Sequence, residues 1–178
     1  QQLARKLDIS TVTLYKYFKN SEDIALALQE RILEAQRLLP SGFASDTNPL
    51  TLFSDFHRAL YREVFKKREN VTLLALFEAY LHNKPRPARE QPSFLAYTSQ
   101  MRGFLKQLLE RAKSQNLISD SISTEEALDF IMNLNLALIR QIGLMEDYRF
   151  KREEHLVEQQ VEQLLNLFIL YLKTGGTV

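Results

Sequence analysis

Apolar residues recur every three or four positions along nearly the whole chain, and no stretch alternates apolar with polar in the two-residue rhythm of a half-buried strand. That spacing lines apolar side chains along one face of an α-helix, so the expected class is all-α. Glycine and proline are few, five of each in 178 residues, and most fall between the periodic stretches, where they act as helix punctuation. A chain of this length exceeds a typical single small domain, which suggests one domain with a small appended module. Hydrophobic residues at 45% and charged residues at 25% match globular averages, so neither a disordered tail nor a membrane protein is expected.

The helices can be placed from their caps. Asn20 suits an N-cap with Asp23 in the first turn, and the helix it opens should run to about Leu38, stopped by Pro40, Ser41 and Gly42. Asn48 and Pro49 read as N-cap and first helical position of a helix with the inward stripe Phe53, Phe56, Leu60 and Val64. A further helix is expected after Asn70 with Leu73, Leu74, Phe77, Tyr80 and Leu81 inward, until Pro85, Pro87 and Pro92 force an exposed basic loop. Phe94, Tyr97, Met101, Phe104, Leu108 and Ala112 then repeat at helical spacing up to a turn near Asn116. Ser123 and Glu126 form a capping box. From Leu128 to Met145 the helix it opens is apolar nearly all round, which calls for burial on more than one side. The last helix, about Glu154 to Lys173, carries Val157, Val161, Leu165, Phe168 and Leu172 and ends before Gly175 and Gly176, while Arg149 to Glu154 reads as a solvated turn.

Composition narrows the chemistry. With no cysteine, disulfide frameworks, thiolate zinc sites and cysteine nucleophiles are excluded together, and a cytoplasmic setting is compatible. The three histidines, His57, His82 and His155, are scattered, none at the i, i+4 spacing of a helical zinc site, and read as surface or cap residues. No nucleophile elbow or phosphate loop occurs, so no catalytic residue, metal or cofactor is expected. The longest apolar runs, such as Leu134 to Ile139, fall short of a bilayer span, and no signal peptide is visible. The net charge of +1 is unevenly placed: residues 1 to 20 hold Arg5, Lys6, Lys16 and Lys19 against Asp8, a local +3, leaving −2 for the remainder. Such a local surplus is the electrostatic footprint sought in a nucleic-acid binder.

Residues 1 to 18, QQLARKLDISTVTLYKYF, place Leu3, Ala4 and Leu7 on one helical face, break for three residues, and resume with Val12, Tyr15 and Phe18 at similar spacing. The pattern is helix, turn, helix. Asp8 stands where a left-handed residue is often needed, and Ser10 can cap the second helix. The exposed face of that helix would present Thr11, Thr13, Lys16 and Tyr17, a mixture of hydroxyls, a cation and a phenol suited to phosphates and base edges. The segment from Leu3 to Ile24 resembles, without a gap, the DNA-binding head of the TetR (tetracycline-repressor) family, approximately I-A-x-x-A-G-V-S-x-G-T-L-Y-x-Y-F-x-S-K-E-x-L. Leu3 and Ala4 match the first pair, Ile9 and Ser10 the V-S, Thr13 to Tyr15 the T-L-Y, Tyr17 and Phe18 the Y-F, and Asp23 and Ile24 the acidic-hydrophobic helix start. Asp8, Val12 and Ser21 depart from the family's turn glycine, a second glycine close to DNA, and a phosphate-touching lysine.

The resemblance implies a helix-turn-helix head, lacking the family's first helix, over residues 1–38, and a helical-bundle ligand-binding and dimerisation domain over 39–178. It makes Ser10 to Phe18 the recognition helix, with Ser10, Thr11, Val12, Thr13, Tyr15, Lys16, Tyr17 and Lys19 expected at a double-stranded DNA operator. An unknown small-molecule effector is expected among Phe56, Phe77, Tyr80, Tyr97, Met101, Phe104, Phe130 and Asn133, each of which is also readable as plain core or, for the asparagine, as an interface or surface group. Asn135, Arg140 and Gln141 raise the same question, since polar groups buried without partners are costly. A homodimer is expected through the last two long helices, about Glu125 to Met145 and Glu154 to Lys173. The implied function is a cytoplasmic transcription regulator, a repressor released from its operator by its effector, with no membrane partner. The competing expectation is a helical ligand-binding or adaptor protein that has lost DNA binding, for which Val12 and Ser21 speak.

Overall fold

The computed structural model describes the backbone of residues 2–34, 47–82 and 92–176, and their side chains except those of 33, 77–82 and 92–95. Among these residues there is no strand, and the chain is all-helical: α1 (Gln2–Lys6), α2 (Thr11–Tyr17), α3 (Ser21–Glu34), α4 (Pro49–Lys66), α5 (Arg68–His82), α6 (Pro92–Ser114), α7 (Thr124–Leu144) and α8 (Asp147–Thr174). Two compact units divide it, Gln1–Gln36 and Arg37–Val178. The expected end of α3 near Leu38, its stop at Pro40 to Gly42, and the basic loop before Pro92 lie outside the described residues.

In the second unit the expected caps are present. The Asn48 side chain accepts from the Leu50 and Thr51 amides at 2.9 and 3.3 Å, with Pro49 opening α4. Ser123 and Glu126 exchange their two capping-box bonds at 3.1 and 3.2 Å. A helix C-terminus leaves its last carbonyls unpaired; α6 and α8 close theirs with left-handed residues, Asn116 (φ 55°) and Gly175 (φ 71°). The next amides, Leu117 and Gly176, reach back to Ala112 and Tyr171 at 2.9 and 3.0 Å.

Helix α4 runs through the middle of this unit, burying Leu52, Phe53, Phe56, His57, Leu60, Tyr61 and Val64. It lies antiparallel to α8: Phe53 meets Phe168 edge-on, Arg58 holds the Glu162 carboxylate with two guanidinium nitrogens at 2.9 and 3.0 Å, and Phe65 meets Phe150. Helix α8 therefore begins at Asp147, and the expected solvated turn from Arg149 to Glu154 is its first two turns. The reason is Phe150, buried seven residues before Val157 and thus continuing the stripe of Val161, Leu165, Phe168 and Leu172, while Arg149 and Arg152 pair with Glu153 on the wet side. Leu165 faces this chain's own core, at 2% exposure, rather than outward.

Helix α5 starts three residues earlier than Asn70 suggested, because the α4–α5 joint is the single residue Lys67 and Asn70 lies in the first turn. Its buried stripe is Val71 and Ala75; Leu73, expected inward, is exposed. The shift follows from how α5 crosses α7. At the crossing, a Cβ on Gly143 would stand 2.9 Å from Val71 Cγ1 and 3.1 Å from Val71 backbone carbon, so only glycine allows the approach. Thr72 Oγ1 donates to the Gly143 carbonyl at 2.6 Å, and Arg68 donates Nε–H to the Ile142 carbonyl at 3.1 Å, pairs with Asp147 and lies 4.8 Å over the Phe150 ring. One arginine thus caps α7, meets the start of α8 and closes the corner between them.

By length and composition α7 is the one helix among the described residues that could cross a membrane, which the counting of short apolar runs had not foreseen. Here it packs on α5 and α6 and buries Ala127, Leu128, Ile131 and Ile142, with Leu136 and Leu144 exposed. Within this packing sits a further departure from the sequence reading. His57 is neither a surface nor a cap residue: it is fully buried, at 0% exposure, beside Asn135 and Tyr61. Its Nδ1–H donates to the Phe53 carbonyl at 2.7 Å, its Nε2 accepts from Asn135 Nδ2 at 3.0 Å, and Tyr61 donates its hydroxyl to Asn135 Oδ1 at 2.7 Å. A neutral imidazole satisfies both of its ring nitrogens in that chain. Asn135 is thus paired within its own chain rather than with a ligand, a second subunit or solvent, the three expectations for it.

Burial lowers the His57 pKa to about 4, against 6.5 for a free imidazole. Between those values the unfolded chain binds a proton that the folded chain refuses, so this contribution to stability is complete above pH 6.5 and drains away as pH falls towards 4. A loss of about 3 kcal/mol is expected over that window. Urea unfolding at pH 7 and pH 4 should show it, and His57→Gln should flatten the part of the profile that this residue causes.

Candidate functional site

The first unit is held by its helix ends. After α1, Asp8 adopts φ 51°, its amide reaches Arg5 at 3.3 Å, and the Ile9 amide reaches the Ala4 carbonyl at 3.1 Å. This is the paired-bond closure that glycine usually fills, here made by an aspartate that tolerates the left-handed conformation. Ser10 then caps α2, its Oγ accepting from the Thr13 amide at 2.9 Å and lying 2.8 Å from Thr13 Oγ1. At the start of α3, Asn20 Oδ1 accepts from the Asp23 amide and Asp23 Oδ2 from the Lys19 amide, both at 2.9 Å. The turns on both sides of α2 are thereby fixed by short-range bonds.

Those bonds decide which face of α2 is outward. Leu14 is buried, with Ala4 and Ile32 also buried in this unit, and Phe18 and Thr11 are half-buried. Val12 and Tyr15, which spacing had placed on the apolar side with Phe18, point the other way: Val12 is 80% exposed and Tyr17 74%, with Tyr15, Lys16, Thr13 and Lys19 also exposed. In a helix of seven residues the string TVTLYKY fits two stripes offset by one residue, and only the position of Leu14 against the rest of the unit separates them. Leu3, Leu7 and Ile9 are exposed too, so of the expected α1 stripe only Ala4 is buried. Thr11, Val12, Tyr15 and Lys16 line a shallow, open hollow.

The eight residues expected at DNA thus lie together on α2 and its two flanking turns, around a local charge of +3 carried by Arg5, Lys6, Lys16 and Lys19 against Asp8. No ion pair to any of these four cations is found among the described residues. The surface offers a cation, two phenols, hydroxyls and an exposed isopropyl group.

The residues expected around an effector are more divided. Phe56 and Phe104 pack ring against ring, with centroids 5.0 Å apart, whereas Phe130 stacks on Tyr171 at 4.0 Å and meets Phe168 edge-on. Met101, Phe104 and Phe130 are partly buried against the main core. Tyr97 is half-buried, and desolvation pushes its phenol up to about 12. Asn133 is exposed on α7, two residues from the buried Asn135, so it does not face inward with the aromatics. The side chains of Phe77 and Tyr80 lie outside the described residues. The polar residues inside the unit, His57, Asn135 and Tyr61, were not singled out together, although positions 53, 57 and 61 stand four apart on one face of α4.

Among the described residues no group of acidic, histidine or cysteine side chains is arranged to hold a metal ion. No family description, curated protein or solved structure matches the chain.

The left-handed turn carries a direct test. Asp8→Val puts a β-branched residue at φ 51° and should cost roughly 1 to 2 kcal/mol, exposing the α2 amides to hydrogen exchange about tenfold or more faster, while Asp8→Gly should leave them as protected as before.

Proposed function

We propose that this chain is a DNA-binding transcription regulator of the TetR type, in which residues 1–36 form a helix-turn-helix head and the remaining unit dimerises and binds a small-molecule effector. The observation that carries the reading is the outward face of α2. Its opposite side is anchored by Leu14, its two flanking turns are fixed by Asp8, Ser10 and Asn20, and it presents Val12, Tyr15, Lys16 and Tyr17 within a segment whose local charge is +3. A rigid short helix with an exposed mixed face and surrounding cations is what a major groove accepts. Lys16, Lys19 and the phenols of Tyr15 and Tyr17 serve the phosphates, and Thr11, Val12 and Thr13 lie nearer the base edges. As a repressor in the cytoplasm, the protein would leave its operator when an effector in the helical unit changes the separation of two heads.

Fragmented genomic DNA passed over the immobilised full-length protein at low salt should leave a small set of enriched fragments. Lys16→Ala should weaken specific and non-specific DNA alike and reduce the slope of log affinity against log salt by about 1. Retention of no fragment above background, with or without cell extract, would replace this reading with that of a helical adaptor.

Dimerisation through α7 and α8 is part of the proposal, and its support is the row of exposed leucines on those helices: Leu136, Leu144, Leu156, Leu167 and Leu170. Because Leu165 is internal, Leu165→Glu reports on folding and cannot report on pairing. The informative change is Leu136→Glu with Leu170→Glu. Sedimentation should show a dimer burying more than about 1,000 Å² become a folded monomer; a double variant that still sediments as a dimer would place the interface elsewhere.

A further inference from the structure

On the DNA-binding reading above, α2 lacks the usual equipment for naming a base. Base edges are read by arginine or lysine on guanine, asparagine or glutamine on adenine, or a carboxylate on cytosine. Of these residue types only Lys16 occurs between Thr11 and Tyr17. The Thr13 hydroxyl is already held 2.8 Å from Ser10 Oγ, and the Ser10 oxygen also accepts from the Thr13 amide, so these two hydroxyls are engaged with each other. Lys16 is a point charge with no fixed fork.

What α2 does offer is apolar and prominent. Val12 is its most exposed large apolar side chain, and with Thr11, Tyr15 and Lys16 it lines the hollow on the outward face. The local +3 favours a polyanion as the occupant, yet an isopropyl group gains nothing from a phosphate. In the major groove the one apolar group on a base edge is the C5 methyl of thymine. We propose that Val12, with the Tyr15 ring and the methyl of Thr11 beside it, reads thymine methyl groups, so that the preferred half-site is built on A·T pairs and discriminated by methyl contact rather than by a guanine anchor.

The test begins by selecting sites from random double-stranded DNA with the full-length protein. The best site is then resynthesised with deoxyuridine replacing one thymidine at a time, which removes the C5 methyl and leaves base pairing intact. At one or two positions per half-site the affinity should fall about fourfold, the worth of one buried carbon. Val12→Ala, at an exposed position, should fold normally by circular dichroism and no longer distinguish thymidine from deoxyuridine there. Strong sites that ignore every such replacement, or whose invariant positions are guanines, would overturn methyl reading while leaving DNA binding in place. Selection that enriches no sequence at all would overturn the DNA-binding reading itself, and this inference with it.

Discussion

The hydrogen-bonded row from the Phe53 carbonyl through His57 and Asn135 to Tyr61 is the constraint around which the larger unit is arranged. Polar groups removed from water are tolerable only when each finds a partner. Here the partners come from two helices, so a slide of α4 along α7 by even one residue would strand an amide and an imidazole in the core. Leucines would accept a neighbouring register at little cost; this row accepts one. The aromatic packing of Phe53, Phe56 and Phe168 around the imidazole depends on that register, since the His57 ring lies within 4.2 to 5.6 Å of all three.

Outward from this row, the remaining contacts follow in sequence. With α4 placed, its antiparallel partner α8 is aligned by the bidentate Arg58–Glu162 pair and by Phe65 on Phe150. With α7 placed, Gly143 lets Val71 of α5 come close, and Arg68 joins the end of α7 to the start of α8. The exposed Arg58 pair adds little energy by itself, and its value is directional. The smaller unit uses another strategy, with few buried residues and orientation supplied by bonds between near neighbours in sequence: Asp8 to Arg5, Ser10 to Thr13, Asn20 to Asp23.

Local signals were legible wherever they act within a few residues. The N-caps Asn48, Ser10 and Ser123, the left-handed Asp8, the turn at Asn116 and the glycine after α8 all work through bonds spanning two to five positions, and each is readable as a short string. Charge was legible as well, because the basic surplus over residues 1 to 20 needs no folding to exist. What misled was reading polarity as a boundary. Arg149 to Glu154 looks like a turn until Phe150 is seen to extend the α8 stripe, and the role of Phe150 depends on Phe65, some eighty-five residues away.

The faces were the hardest to read. By itself the sequence determined that the chain is helical, where several helices begin and end, and that residues 1 to 20 carry a net +3, since propensity, capping and net charge are properties of neighbouring residues. Only the tertiary structure decided that His57 lies inside with Asn135, that Asn133 lies outside, that Leu165 points to its own core, and that Val12 rather than Leu14 faces solvent. Each of those outcomes is a rotation of about one residue, 100°, around a helix axis, and a short amphipathic pattern is consistent with either rotation until a second helix arrives to choose.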